Sequence, residues 1–66
     1  MTFTEMRKNH GYTQVKLAEL LGVDQSTVSL WESGKTAPNR KTASRLAAIF
    51  ECTVDELFKA IDLAAG

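Results

Sequence analysis

The spacing of chain-breaking residues is the feature that most restricts how this sequence folds. Gly11, Gly22, Gly34 and Pro38 interrupt the chain. The stretches between them place apolar residues three or four positions apart, which is the period of a helix. No stretch alternates β-branched residues with polar ones, so we expect no sheet. The sequence therefore predicts an all-α fold in which short helices pack as a compact bundle.

Capping residues and inward-facing apolar stripes indicate where the helices lie. Five helices are expected, over residues 2–9 (or 3–9), 14–21, 25–32, 40–50 and 54–63. Thr13, Asp24 and Asn39 are the expected N-caps of the three middle helices. Thr53 and Glu56 predict a capping box before the last helix. The predicted core consists of Leu17, Ala18, Leu21, Val28, Trp31, Leu46, Phe50 and Leu57.

The length of 66 residues allows one domain, over residues 1–66, with a small core. One cysteine cannot form an internal disulfide, and one cysteine with one histidine cannot complete a structural zinc site. We expect Cys52 to be a core residue in the reducing cytoplasm. No apolar run approaches the roughly 18 residues of a membrane span, so no membrane partner is expected.

Charge is unevenly distributed along the chain, although the net charge is zero. Residues 1–50 carry seven Lys and Arg against four acidic residues, a balance of +3, whereas residues 51–66 carry one Lys against four acidic residues, a balance of −3. This asymmetry predicts a basic side, which suits a nucleic acid, and an acidic side. Ordinary charge scatter on a soluble domain is the alternative.

The outward face of the predicted third helix is uncharged. With Val28 taken as buried, Ser26 and Leu30 fall near the opposite pole, and Gln25 and Ser29 flank them. Amide and hydroxyl groups can hydrogen-bond base edges, and an apolar side chain can pack on a thymine methyl group. The pattern favours a surface that reads DNA. A weakly charged helix without any partner is the alternative.

The stretch TQVKLAELLGVDQSTVSLWESGK, residues 13–35, resembles the helix-turn-helix of the Cro and phage-repressor (Xre) family. The matching positions are Thr13-Gln14, Leu17-Ala18, Leu21-Gly22-Val23, Val28-Ser29 and 31–35, followed by Pro38, Leu46-Ala47 and 54–57. The resemblance implies a five-helix bundle of the lambda-repressor-like type. Its helix-turn-helix would be formed by helices two and three, over about residues 13–33. It also implies a sequence-specific double-stranded-DNA-binding transcriptional regulator, a Cro-like repressor that occupies an operator.

Residue roles follow from the same resemblance. Gln25, Ser26 and Leu30 match positions that read bases in the family, and Ser29, which lies beside them, is expected to join them. The positions that contact phosphate are Gln14, Thr27, Ser33, Lys35 and Arg40. Arg7 and Glu32 match a structural pair that joins the first and third helices. Glu51 replaces a glycine of the family, so a strained turn is expected there. The recognition face lacks Arg, which predicts a preference for A·T-containing steps.

Other functions have weaker support. Neither Cys52 nor His10 has the neighbouring groups that a nucleophile and its base require, so we expect no enzyme, no cofactor, no metal and no small-molecule ligand. Phe58 and Leu63 are candidate contacts of a weak or DNA-assisted homodimer, unless Phe58 folds back under the fourth helix. The alternative function is a protein-interaction module, such as an antitoxin or adaptor.

Overall fold

The computed structural model describes residues 1–65 and contains five helices. These are α1 (Phe3–Asn9), α2 (Gln14–Leu21), α3 (Gln25–Glu32), α4 (Arg40–Ile49) and α5 (Val54–Ala65). α2 packs on α3, α4 packs on α5, and α1 contacts both α3 and α5. The principal extents are 26 × 22 × 22 Å. The all-α fold class is confirmed. Within residues 1–65, no helix has the length and apolarity that crossing a membrane requires.

Side-chain caps begin three of the first four helices. The Thr13 side chain accepts from the Lys16 N–H at 3.0 Å, and the Asn39 side chain accepts from the Thr42 N–H at 2.9 Å. Thr2 forms a capping box with Glu5 that the sequence reading missed. The prediction for Asp24 was wrong in its mechanism. Asp24 occupies the N-cap position, but its exposed side chain makes no capping hydrogen bond.

The helix ends differ slightly from the predicted ones. α4 ends at Ile49, with Phe50 as its C-cap, and α5 continues to Ala65 rather than to residue 63. Gly22 ends α2 in the left-handed conformation, with φ 70°. Glu51 also has a positive φ, 52°. This conformation brings a Cβ atom close to a carbonyl oxygen, so a glutamate is strained there and a glycine is not.

Phe3 lies at the centre of the core, although it was not among the predicted core residues. Its side chain is fully buried. Its ring packs edge-on against Phe50, with centroids 5.3 Å apart, and at a tilt against Trp31, at 6.2 Å. Such pairs stabilise a small core beyond their buried area. The aromatic cluster therefore links the first helix to the third and to the end of the fourth.

The eight side chains that the sequence assigned to the core are all buried. Two further expectations need adjustment. Cys52 is only half-buried at the edge of the core. Phe58 is half-buried and packs against the core, which matches the alternative of folding back rather than an exposed dimer contact.

Replacing Glu51 with glycine is expected to stabilise the protein. The left-handed conformation strains glutamate by about 1–2 kcal/mol, and the greater freedom of glycine in the unfolded chain offsets about half of this. We expect the free energy of unfolding of Glu51→Gly, measured with urea, to rise by about 0.5–1 kcal/mol. Glu51→Ala is the control, because it removes the same carboxylate and keeps the strain. Equal stabilities of the two variants would contradict this explanation.

The capping box predicted before α5 is present: Thr53 N–H donates to Glu56 Oε1, and Glu56 N–H donates to Thr53 Oγ1, each at 3.0 Å. This capping box predicts a loss of stability in acid. Hydrogen bonds with Thr53, to its backbone N–H and then to its side chain, hold the pKa of Glu56 below the ordinary value of 4.5. The unfolded chain therefore takes up this proton at a higher pH than the folded chain does. The stabilisation is complete above about pH 4.5 and is lost as the pH falls through the lowered pKa.

The variant Glu56→Gln tests this pH dependence, because glutamine keeps an acceptor oxygen but does not titrate. We expect the wild-type protein to have the higher melting temperature at pH 6, and the difference to shrink towards pH 3. Asp62→Asn is the control, since it removes an acidic charge from the same helix outside the cap. A difference between Glu56→Gln and wild type that stays constant with pH would contradict the assignment.

Candidate nucleic-acid interface

Helix α3 has one buried and one exposed face. Val28 is fully buried and Trp31 is 3% exposed, and these two side chains hold α3 against the core. The four predicted base-reading side chains all lie on the exposed face: Gln25, Ser26, Ser29 and Leu30. Leu30 is 38% exposed. The helix therefore presents two hydroxyls, one amide and one apolar group to the outside, without a charge among them.

An ion pair between Arg7 of α1 and Glu32 of α3 lies under this surface. The Arg7 Nε group donates to Glu32 Oε1, and each side chain is only 10% exposed. Arg7 Nη1 also donates to the carbonyl oxygen of Tyr12 at 2.7 Å. The pair thus joins the end of α3 to α1 and to the loop before α2. This is the bridge that the sequence resemblance implied.

The ion pair continues into a chain of hydrogen bonds that reaches the surface. Gln14 Nε2 donates to Glu32 Oε2, and Gln25 Nε2 donates to Gln14 Oε1 at 3.2 Å. A carboxylate can only accept, so Gln14 must face Glu32 with its NH2 group and must turn its oxygen towards Gln25. Gln25 is exposed, and among the described residues none hydrogen-bonds its oxygen or its second N–H.

The predicted phosphate-contacting residues are not all equally available. Lys35 and Arg40 are exposed on the loop after α3 and at the start of α4, and Thr27 is half-buried. The hydroxyl of Ser33 donates to the Leu30 carbonyl oxygen at 3.0 Å. Since that hydroxyl has one proton, Ser33 must give up this bond before it can donate to a phosphate. The side chain of Gln14 is likewise already engaged by Glu32.

Arg45 makes contacts that the sequence reading did not foresee. Its Nη2 group donates to the Leu20 carbonyl oxygen at 2.8 Å, and its Nη1 group lies 3.5 Å from the Leu21 carbonyl oxygen. In the sequence Arg45 was one basic residue among several. Because its acceptors lie about 25 positions away, no local pattern could have indicated the contact.

Cys52 and His10 show no arrangement that supports chemistry. Burial raises the pKa of the Cys52 thiol, and the charge of Glu56 raises it further, so the thiol is disfavoured as a nucleophile. His10 Nδ1 lies 2.9 Å from the Met6 carbonyl oxygen, and His10 Nε2 lies 3.5 Å from a Glu51 carboxylate oxygen. Among residues 1–65, no group of three or more His, Cys, Asp and Glu side chains could hold a metal ion.

A family model described as helix-turn-helix matches residues 4–57. This covers most of the chain and includes α2, α3 and the turn between them. The chain belongs to the helix-turn-helix family. The resemblance to the Cro and phage-repressor type is therefore confirmed, and the family is one of DNA-binding domains of transcription regulators.

Curated helix-turn-helix proteins match over most of the chain. The activator BcrR of Enterococcus faecalis is 37% identical over 59 residues, which are 89% of this chain and 29% of BcrR. The regulator AnsR of Bacillus subtilis is 39% identical over 54 residues, 82% of this chain and 47% of AnsR. An uncharacterised regulator of Archaeoglobus fulgidus is 35% identical, over 82% of this chain and 77% of its own length. No solved structure gives a significant match.

These lengths limit what the relatives imply. The chain spans less than a third of BcrR and about half of AnsR, but most of the Archaeoglobus protein. The shared part is the helix-turn-helix domain. The relatives that carry this domain are named as transcription regulators, which supports the predicted class, a DNA-binding transcription regulator.

The Arg7–Glu32 pair is expected to matter for stability chiefly when one partner is left alone. Arg7→Met or Glu32→Leu leaves a buried charge without its partner, and each should lower the free energy of unfolding by about 3–5 kcal/mol. The double variant leaves no unpaired charge and should lose considerably less. Urea unfolding of the three variants measures this. Lys59→Met is the control, because its ion pair with Asp55 is exposed and should contribute little.

The same double variant separates stability from function in this helix-turn-helix protein. Without Glu32, no carboxylate orients Gln14, and Gln14 no longer orients Gln25. We therefore expect the folded double variant to bind DNA with reduced base discrimination. Full discrimination in the double variant would show that the hydrogen-bond chain does not orient Gln25.

Proposed function

We propose that this chain recognises a specific double-stranded DNA operator by placing α3 in the major groove. The observation that carries the proposal is the uncharged, exposed face of α3, whose amide is oriented from a buried ion pair. Helix-turn-helix proteins place their second helix of the motif in this groove, with its first turn nearest the bases. Repression follows where the operator overlaps the polymerase site. A reporter gene whose promoter carries the operator at the polymerase site measures this repression.

The free groups of Gln25 favour adenine. With one N–H donated to Gln14, the side chain offers one acceptor oxygen and one remaining N–H. Adenine presents a matching donor, N6–H2, and acceptor, N7, in the major groove, whereas guanine presents two acceptors. Leu30, which is apolar and exposed, suits the methyl group of a thymine. These assignments support the predicted preference for A·T-containing steps.

Phosphate contacts are proposed for Lys35, Arg40 and Thr27, because Lys35 and Arg40 are exposed cations and Thr27 lies on the first turn of α3. Gln14 contributes through the start of α2, where backbone N–H groups and the helix dipole favour an anion. Ser33 joins this set once its hydroxyl leaves the Leu30 carbonyl. These contacts position the protein on DNA, while α3 supplies the specificity.

A second copy of the chain is the proposed partner on DNA. A groove of about 280 Å³ lies between the start of α1 and α5, lined by Met1, Met6, Glu56, Lys59, Ala60 and Leu63. Leu63 is 61% exposed and can enter the groove of a two-fold-related copy. Glu56 and Lys59 also line the groove, so a two-fold-related copy can bring the acidic residue of one chain near the basic residue of the other. Leu63 thus remains the proposed dimer contact, without Phe58.

Selection from a random duplex library, followed by sequencing, tests the proposal. We expect enrichment of an inverted repeat whose half-sites lie about ten base pairs apart, one turn of DNA. The variant Leu63→Asp should keep the half-site preference and lose the preference for the repeat. Enrichment of a single half-site by wild type would remove the dimer and keep DNA recognition. No enrichment at all would overturn the proposed function.

Removing the Gln25 side chain is expected to change specificity rather than folding. Gln25→Ala should lose about 1–3 kcal/mol of discrimination at one base pair of the selected operator. Gln25→Glu only accepts hydrogen bonds and cannot donate to Gln14 Oε1, so it should also lose the preference for adenine at that position. Competition binding with single-base operator variants measures both. Glu19→Gln, on the exposed face of α2, is the control. Unchanged discrimination in Gln25→Ala would remove Gln25 from the base-reading set.

A further inference from the structure

The last carbonyl groups of α2 are satisfied in two different ways. A helix leaves its final four carbonyls without partners inside the helix. The turn supplies donors for two of them, because Gly22 N–H donates to the Glu19 carbonyl at 3.3 Å and Val23 N–H to the Ala18 carbonyl at 3.0 Å. The next two carbonyls, those of Leu20 and Leu21, face the guanidinium of Arg45, at 2.8 and 3.5 Å.

Arg45 thereby ties α4 to the end of α2. α2 packs mainly on α3, and α4 packs mainly on α5, so this polar contact connects two parts of the bundle that otherwise belong to different helix pairs. The guanidinium also places a positive charge at the negative end of the α2 dipole, which is a favourable arrangement. Its planar shape allows one side chain to reach two neighbouring carbonyls.

The tie lies between two proposed sets of DNA contacts. The helix-turn-helix carries the base-reading residues and part of the phosphate contacts, while Arg40 lies in the first turn of α4, five positions before Arg45. A phosphate contact from Arg40 can form together with base contacts from α3 only if α4 keeps its position relative to the helix-turn-helix. A side chain that is already held in position loses less conformational freedom when it binds DNA.

We propose that Arg45 is a positioning residue for DNA binding, which holds α4 against the end of α2 so that Arg40 meets a phosphate while α3 occupies the groove. The inference rests on the proposed phosphate contact of Arg40. The alternative role for Arg45 is a direct contact between its own side chain and a phosphate. That contact would require the guanidinium to leave the Leu20 and Leu21 carbonyls.

A double-mutant cycle in DNA affinity separates the two roles. Affinities for the selected operator are measured for Arg45→Met, Arg40→Ala and the double variant of the full chain. We expect Arg40→Ala to weaken binding about tenfold per half-site and Arg45→Met about threefold to tenfold. In the Arg40→Ala background, Arg45→Met should have no further effect beyond about twofold, because the contact that Arg45 positions is already gone.

Two further variants control for charge and folding. Lys41→Met removes one positive charge from the exposed side of the same helix, and its effect should add to that of Arg40→Ala. Arg45→Lys keeps the charge but cannot bridge two carbonyls in the manner of a guanidinium. It should show the same coupling to Arg40 as Arg45→Met. Circular dichroism at the binding temperature shows whether Arg45→Met is folded. If it is unfolded, Arg45→Lys replaces it in the double-mutant cycle.

The outcomes distinguish this inference from the proposed function. If the effects of Arg45→Met and Arg40→Ala add in full, Arg45 contacts DNA independently and the positioning role is wrong, while operator recognition stands. If Arg40→Ala leaves affinity unchanged, both the phosphate contact of Arg40 and the role of Arg45 are overturned. The positioning role is supported if Arg45→Met no longer weakens binding in the Arg40→Ala background, while the effect of Lys41→Met still adds to that of Arg40→Ala.

Discussion

The orientation of the proposed recognition surface depends on the buried ion pair between Arg7 and Glu32. Removing two charges from water is costly, so the pair contributes less to stability than its geometry suggests. Its contribution is orientation. It joins α1 to α3, takes the Tyr12 carbonyl as a third partner, and begins the hydrogen-bond chain that ends at Gln25. A residue on the proposed recognition surface thus takes its direction from a buried pair of charges.

The fold combines a small aromatic core with well-satisfied helix ends. Phe3, Trp31 and Phe50 join α1, α3 and the end of α4, and side chains close most helix starts. Arg45 acts similarly at the end of α2. In a chain of this length the core supplies only a few kcal/mol, so such terminal hydrogen bonds are a considerable part of the total. The strain at Glu51 is correspondingly significant.

Much of the architecture could be predicted from the sequence, because it follows from local patterns. Helical periodicity identified five helices and eight buried side chains, and the glycine at position 22 indicated the left-handed end of α2. The errors also have local causes. An aspartate before a helix is a frequent cap, but the Asp24 side chain faces solvent. Phe58 looks spare from spacing alone, and the structure packs it, half-buried, against the core.

By itself, the sequence determined the helices, their inward faces, the family and the types of group displayed on α3. These depend on residues a few positions apart. Only the tertiary structure decided which displayed groups are free, because the bonds that engage Gln14, Gln25 and Arg45 join different helices. Hydrogen bonds require partners within about 3.5 Å and in suitable directions. Sequence spacing cannot specify those distances between helices, whereas packing around the core and the Arg7–Glu32 pair does.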